Sequence, residues 1–124
     1  MKRRVLVVDD DRLVADTLSL VFKTNGFQAE ACYSAAEGLE RARSFAPQLL
    51  LCDVTMPHET GLQLAESVHR EMPGCKVLML TAYSGNEAQV ELYSEKTKRP
   101  LKLLNKPCRP ELLLQEVKAL LEIA

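Results

Sequence analysis

The centre of the chain carries the run Leu49-Leu50-Leu51-Cys52-Asp53, in which four apolar residues are followed by an aspartate. Pro47 interrupts the chain just before this run. A short, continuous apolar run bounded by such signals is typical of a strand that is buried on both faces. Strands of this kind occur in parallel sheets that are covered by helices on both sides.

The same unit recurs on either side of this run. Further strands are predicted at Arg4–Val8, Phe27–Cys32, Lys76–Leu80 and Pro100–Leu104. Amphipathic stretches follow the strands, and helices are predicted to begin near Arg12, Ala35, Gly61, Ser84 and Pro110, the fourth being weakly helical. The core face of the first helix is predicted at Val14, Leu18, Val21 and Phe22. This strict alternation predicts an α/β fold, a doubly wound parallel sheet with right-handed crossovers, as one domain over residues 1–124.

Composition excludes several classes of protein. The chain has 124 residues, 47% apolar and 27% charged, with a net charge of −1, which gives no electrostatic reason to expect nucleic acid or an anionic membrane. No apolar run approaches the roughly 18 residues that a membrane-spanning helix needs. The basic N-terminus mimics a signal peptide, but its apolar stretch stops at Asp9. We therefore expect a cytoplasmic domain with no membrane segment and no direct nucleic-acid binding.

The four cysteines do not form a recognisable metal or disulfide pattern. They are Cys32, Cys52, Cys75 and Cys108. No two of them make a CxxC pair, and no histidine stands at ligand spacing. We interpret them as reduced residues that pack as small apolar side chains. His58 and His69 are interpreted as a loop residue and a helix-surface residue.

Polar residues collect where the predicted strands end. Strand 1 is followed by Asp9 and Asp10, strand 3 by Asp53, strand 4 by Thr81, and strand 5 by Lys106. Open parallel sheets bind ligands at the carboxyl ends of their strands, so these side chains are expected at one edge.

The chemistry of this set indicates a metal and an anion. Three carboxylates at one edge repel each other, and a hard divalent cation with oxygen ligands, such as Mg²⁺, relieves that repulsion. A lysine at the same edge favours an anion, and phosphoryl oxygens fit between a lysine and a metal. A carboxylate can also act as a nucleophile and form an acyl phosphate.

Four short motifs resemble those of a known protein family. They are Val7-Val8-Asp9-Asp10, Asp53-Val54-Thr55-Met56-Pro57 with Gly61, Leu80-Thr81-Ala82, and Asn105-Lys106-Pro107. In this order and on a five-fold strand–helix pattern, they resemble the receiver domain of two-component response regulators across essentially the whole chain. The resemblance implies a flavodoxin-like sheet with strand order 2-1-3-4-5.

The resemblance also implies the roles of the acceptor residues. Asp53 would receive a phosphoryl group from a sensor histidine kinase or a phosphotransfer protein. Lys106 and Thr81 would hold the phosphoryl oxygens, and the change would alter binding to a downstream protein. The peptide bond between Lys106 and Pro107 would be cis.

The metal ligands follow in the same way. Asp10 and Asp53 would bind Mg²⁺ through their side chains, and Asp9 would assist through a water molecule. The backbone carbonyl of Thr55 would complete the protein ligands.

The chain departs from the family's pattern in its second half. Leu103 occupies the position where the family usually has an aromatic residue that rotates inward on activation. The stretch from Thr81 to Lys106 is also longer than usual, which predicts an unusual fourth helix and an altered output surface. Homodimer formation through that surface stays open. Tyr83, a bulky residue near the site, is expected to shield a phosphoryl group from water and slow its loss.

Two alternatives remain beside the phosphoryl switch. One is a magnesium-dependent phosphatase with an aspartate nucleophile, but that class expects an acidic residue where Thr55 stands. The other is a degenerate receiver that acts only as an interaction module, and the intact Asp53, Thr81 and Lys106 argue against it. No enzyme activity is expected beyond self-phosphorylation and self-dephosphorylation.

Overall fold

The computed structural model describes residues 2–56, 60–82, 86–97 and 101–122. Within these residues, five strands alternate with five helices. The strands are β1 (Arg4–Val8), β2 (Gln28–Cys32), β3 (Leu49–Asp53), β4 (Lys76–Thr81) and β5 (Lys102–Asn105). The helices are α1 (Arg12–Thr24), α2 (Ala35–Phe45), α3 (Gly61–Glu71), α4 (Asn86–Thr97) and α5 (Pro110–Leu120).

All five strands join one parallel sheet in the order β2-β1-β3-β4-β5, which confirms the predicted topology. The strand β3 occupies the centre, between β1 and β4, and all five of its residues are buried. A strand covered on both faces has no solvent side to bear polar residues, which is why its sequence is continuously apolar.

Alternate residues of the strands face two separate apolar layers. Leu50 and Cys52 of β3 belong to a layer that is shared with α2, α3 and α4. Leu49 and Leu51 belong to the opposite layer, which is shared with α1 and α5. Successive strand side chains point to opposite faces, so each strand contributes to both layers and fixes the helices on the two sides.

The helix ends carry the caps that their sequences suggest. Asp11 accepts hydrogen bonds from the backbone N–H groups of Leu13 and Val14 at 3.1 and 3.3 Å, and so begins α1. Thr60 and Gln63 form a reciprocal capping box at the start of α3. This second cap matters for the site, because it fixes the helix that follows the β3 loop.

Two sequence predictions need correction in detail. In α1, Phe22 is buried as predicted, but Ala15 and Ser19 are the other buried residues, while Val14 and Val21 are only half-buried. The buried face of α1 is therefore rotated by about one residue from the predicted core face. The last strand is Lys102–Asn105, slightly later than predicted, and its predicted start at residue 100 lies outside the described residues.

All four cysteines are free, and Cys32, Cys52 and Cys75 are buried as the sequence predicts, while Cys108 is only partly buried. His69, in contrast, is buried in α3 with 7% of its surface exposed, so its assignment to the helix surface was wrong. Among the described residues, no helix has the length and apolar character needed to cross a membrane.

Candidate functional site

The carboxyl ends of four strands bring the predicted site residues together. Asp9 follows β1, Asp53 and Thr81 end the neighbouring strands β3 and β4, and Lys106 follows β5. The register sets Asp53 opposite Leu80, and the Lys106 N–H donates to the Thr81 carbonyl at 2.7 Å. These pairings hold residues that are far apart in sequence at one edge of the sheet.

The ammonium group of Lys106 joins two of the carboxylates. Its Nζ donates to Asp9 Oδ2 at 2.6 Å and to Asp53 Oδ2 at 3.0 Å. The other oxygens of these carboxylates accept backbone N–H groups, Asp9 Oδ1 from Asp11 at 3.0 Å and Asp53 Oδ1 from Thr55 at 3.1 Å. Each carboxylate is thereby held in one orientation.

The third carboxylate completes an acidic cluster. One carboxylate oxygen from each of Asp9, Asp10 and Asp53 lies within 4.8 Å of the others. Asp9 and Asp53 are buried, with 2% and 9% of their surface exposed, whereas Asp10 is exposed. Three negative charges face one ammonium group, so a divalent cation would neutralise the excess. The oxygen donors are those that Mg²⁺ prefers, and an exposed side leaves room for its waters.

Burial and the close charges both shift the pKa values of Asp53 and Lys106. Burial raises the pKa of Asp53 above its ordinary value, although the hydrogen bonds from Lys106 and Thr55 act in the opposite direction and Asp9 adds repulsion. Burial acts to lower the pKa of Lys106, but its hydrogen bonds to Asp9 and Asp53 outweigh burial and raise that pKa. Lys106 therefore stays charged. Burial disfavours the ionised form of Asp53, so added positive charge beside it would stabilise that form.

Backbone hydrogen bonds fix the chain on either side of Asp53. The Val54 N–H donates to the Leu80 carbonyl at 2.9 Å, and the Gly61 N–H donates to the Val54 carbonyl at 2.7 Å. Thr55 and Thr60 also form an isolated antiparallel β-bridge. Gly61 belongs to the motif that contains Asp53, and in the structure it begins α3 in close contact with the Asp53 backbone.

Several other residues that the sequence singled out lie at or near the same edge of the sheet. Thr81 is fully buried at the end of β4, and the Thr55 side chain is exposed while its N–H faces Asp53. The Lys106–Pro107 peptide bond is cis, as the resemblance implied. Leu103 is partly buried and packs against the layer shared with α2 and α3. Tyr83 and His58 lie outside the described residues.

An apolar groove adjoins the site between α1 and the segment after β5. Its volume is about 540 Å³. Lys106 belongs to its lining, as does Leu13 of α1, which has 77% of its surface exposed. The groove therefore places an exposed apolar side chain near the charged residues of the site.

Comparison with known proteins shows the family to which the chain belongs. The model of the response regulator receiver domain matches residues 5–118. The chain therefore belongs to the response regulator receiver domain family. Members of this family act in two-component systems and generally bind Mg²⁺ at an acidic pocket, and their partners are histidine kinases or phosphotransfer proteins.

Individual relatives extend this result. The response regulator MprA of Mycobacterium ulcerans is 37% identical over 82 residues, which are 66% of this chain and 35% of that protein. The match thus spans about a third of the relative's length. A CheY-like receiver domain protein from Methanospirillum hungatei is 30% identical, with a TM-score of 0.88 and coverage of 98% and 95% of the two chains. Vibrio cholerae CheY4, 24% identical over 97% of this chain and 99% of its own, shares the fold with a TM-score of 0.85.

Proposed function

We propose that this receiver domain is a magnesium-dependent switch that accepts a phosphoryl group on Asp53 from a sensor histidine kinase or a phosphotransfer protein. The altered site then changes how the domain binds a downstream protein. The observation that supports this most directly is the position of Lys106 Nζ, which bridges Asp9 and Asp53 at 2.6 and 3.0 Å beside the exposed Asp10.

Asp53 suits the role of nucleophile. Its carboxylate is nearly buried, and Lys106 and the Thr55 N–H orient its two oxygens. An oxygen of Asp53 would attack the phosphorus of a phosphohistidine, forming an acyl phosphate, while the phosphorus–nitrogen bond breaks and the imidazole leaves. Orientation of this kind and neutralisation of charge are the main contributions that a protein makes to phosphoryl transfer.

Lys106 and Thr81 would receive the transferred group. The ammonium of Lys106 already lies against Asp53, so it can turn from the carboxylate to a phosphoryl oxygen within the same pocket. Thr81 ends the neighbouring strand and brings a hydroxyl donor to the same edge. Asp9, Asp10, Asp53 and the carbonyl of Thr55 would hold Mg²⁺, which supplies positive charge against the incoming phosphoryl oxygens.

The partner would approach over the groove that Lys106 helps to line. Leu13 leaves an apolar surface on α1 at that groove, and Lys106 belongs both to the groove and to the proposed acceptor site. A kinase or phosphotransfer helix that covers this surface would bring its phosphohistidine to the same edge of the sheet.

Incubation with acetyl phosphate tests the proposal. Intact-mass measurement follows the protein with Mg²⁺ and with excess chelator, alongside the Asp53→Asn variant. Asp16→Asn is a matched control, because Asp16 is an exposed aspartate on α1 whose carboxylate accepts from the Tyr33 hydroxyl.

The expected result is a single phosphoryl adduct in the wild-type protein and in Asp16→Asn, present only with Mg²⁺ and absent from Asp53→Asn. No adduct on a folded wild-type protein under any condition would favour an interaction module without acceptor chemistry. An equal adduct on Asp53→Asn would assign the acceptor to another residue.

A further inference from the structure

The helix α4 is held by few apolar contacts. Among the side chains of α4 that the structure describes, Ala88 and residues 90–97, Val90 is the only buried one. Leu92 leaves 51% of its surface exposed. In contrast, α3 buries Leu64, Ala65 and Val68. Because burial of apolar surface supplies most of the free energy that keeps a helix docked, α4 depends unusually on polar contacts.

One polar contact joins α4 to a buried partner. The hydroxyl of Tyr93 and Nδ1 of His69 share a hydrogen bond of 2.9 Å, whose direction is set by the imidazole tautomer. The two rings also stack, with centroids 6.0 Å apart and planes inclined by 28°. His69 is 93% buried in α3 and Tyr93 is half-buried, so the contact is partly shielded from competing water.

The helices α3 and α4 each follow a strand that ends in the candidate site. The first residue of α3 is Gly61, in close contact with the Asp53 backbone, and His69 lies eight residues further on, about 12 Å along the helix axis. The helix α4 follows β4, which ends at Thr81 in the site. The contact between His69 and Tyr93 therefore links the two helices at a distance from the residues that hold the ligand.

We propose that His69 and Tyr93 form a clasp that holds α4 against α3, and that opening the clasp releases α4 as a unit while the remainder of the fold stays closed. The proposal goes beyond the phosphoryl switch, because it concerns a movable element of the fold and holds whether or not Asp53 accepts a phosphoryl group. Segments with few buried apolar contacts open at lower free energy than the core, and α4 meets that description.

A second polar contact marks the boundary of the movable unit. The Leu101 N–H donates to Ser94 Oγ at 3.1 Å, which ties α4 to the residue that precedes β5. Thr97 Oγ1 donates to the Tyr93 carbonyl at 2.7 Å within α4 itself. Among the described contacts, the clasp lies on the α3 side of α4 and the Ser94 contact lies on its β5 side.

Hydrogen–deuterium exchange of the whole protein, read by mass spectrometry of peptides from each helix, tests the clasp. Tyr93→Phe removes the hydroxyl and keeps the ring. Tyr33→Phe is a matched control, because its hydroxyl donates to Asp16 on the outer side of α1, at 2.6 Å, and has no part in the clasp. His69→Leu, and the double variant, complete a cycle that isolates the pairwise contribution.

We expect amide exchange in α4 to become roughly tenfold faster in Tyr93→Phe, about 1.4 kcal/mol, while α1 and α5 exchange as in the wild-type protein. Tyr33→Phe should leave α4 unchanged, and the double variant should exchange no faster than His69→Leu alone. An α4 rate in Tyr93→Phe within twofold of the wild-type rate overturns the proposal. So does an equal increase in α1, α4 and α5, which would show general destabilisation. Should His69→Leu fail to fold, the comparison of Tyr93→Phe with Tyr33→Phe still decides the outcome.

Discussion

Gly61 lies so close to Asp53 that a Cβ atom on residue 61 would stand 2.0 Å from the Asp53 carbonyl oxygen. The same atom would also meet the Met79 methyl group at 2.9 Å. Real Cβ atoms do not approach a backbone oxygen so closely, and backbone cannot move aside as a flexible side chain can. The absent side chain therefore allows α3 to begin in close contact with the backbone of Asp53.

Gly61→Ala should consequently destabilise the protein by about 2–4 kcal/mol, because α3 or the end of β3 must shift. Urea unfolding measures the change. Gly74→Ala is the matched control, because a Cβ there has nothing within 4 Å and the turn is exposed. The control should be neutral or slightly stabilising. Equal stability of the two variants would show that the close approach at Gly61 relaxes without penalty.

Asp53→Asn should make the metal-free protein more stable at neutral pH. Burial raises the pKa of Asp53 above its ordinary value of 3.8, so the folded protein binds this proton more tightly than the unfolded chain does. Folding stability therefore falls as pH rises through the window from 3.8 up to the raised folded value, and the penalty persists above it. Removing the charge removes that penalty.

Thermal unfolding in chelator, across pH, measures this effect. We expect a rise in Tm of roughly 2–5 °C for Asp53→Asn at neutral pH. The difference should shrink as pH falls through the window and vanish below 3.8, where the carboxyl is protonated in both states. Asp16→Asn should show no comparable rise. A lower Tm for Asp53→Asn at neutral pH would mean that the contact with Lys106 outweighs the burial penalty.

Mg²⁺ should raise the Tm of the wild-type protein, because the proposed site would bind the cation in the folded state and not in the unfolded chain. At a Mg²⁺ concentration tenfold above Kd, linkage adds about 1.4 kcal/mol. Asp10→Asn should reduce this gain strongly, since Asp10 is the exposed carboxylate that completes the cluster. The gain should persist in Asp16→Asn, and Ca²⁺ provides a comparison for ion size. An undiminished gain in Asp10→Asn would place the ion elsewhere.

The cysteines should react in two classes. Burial raises the pKa of the Cys32 and Cys75 thiols to about 12, and it raises that of Cys52 further. These thiols are protonated and enclosed in the folded protein, so they should not react with a thiol reagent until the protein unfolds. Cys108 is partly exposed and should react first. Counting labelled thiols by mass, in native buffer and in denaturant, checks this.

The control for that experiment is Cys108→Ser, which should abolish the fast phase and leave the three slow thiols unchanged. Rapid modification of more than one thiol in native buffer would show that the sheet layers open readily. Such a result would contradict the burial of the other three side chains.

The helix α1 shows where sequence periodicity reaches its limit. Apolar residues occur on most sides of this helix, including the exposed Leu13 and Leu20. A pattern so broad defines a helix but leaves its rotation uncertain by one residue, about 100°. Packing against the sheet decided the rotation, and it buried Ser19 while leaving Leu13 at the groove beside Lys106.

The helical spacing of α3 predicts that His69 is buried, contrary to its interpretation as a helix-surface residue. His69 stands four residues after Ala65 and next to Val68, on the face that α3 buries. The sequence does not reveal that Tyr93 is the partner of His69, because only the docking of α4 brings Tyr93 to the imidazole.

The sequence by itself determined the order of the elements, the parallel class of the sheet and the set of polar residues at its carboxyl edge. Those features follow from short-range patterns, namely continuous apolar runs, helical spacing and the residues that end each strand. Tertiary structure alone decided that Lys106 lies between Asp9 and Asp53, which are 97 and 53 residues away along the chain. Contacts at such separations depend on strand order, register and the packing of helices on both faces, and no local pattern contains that information.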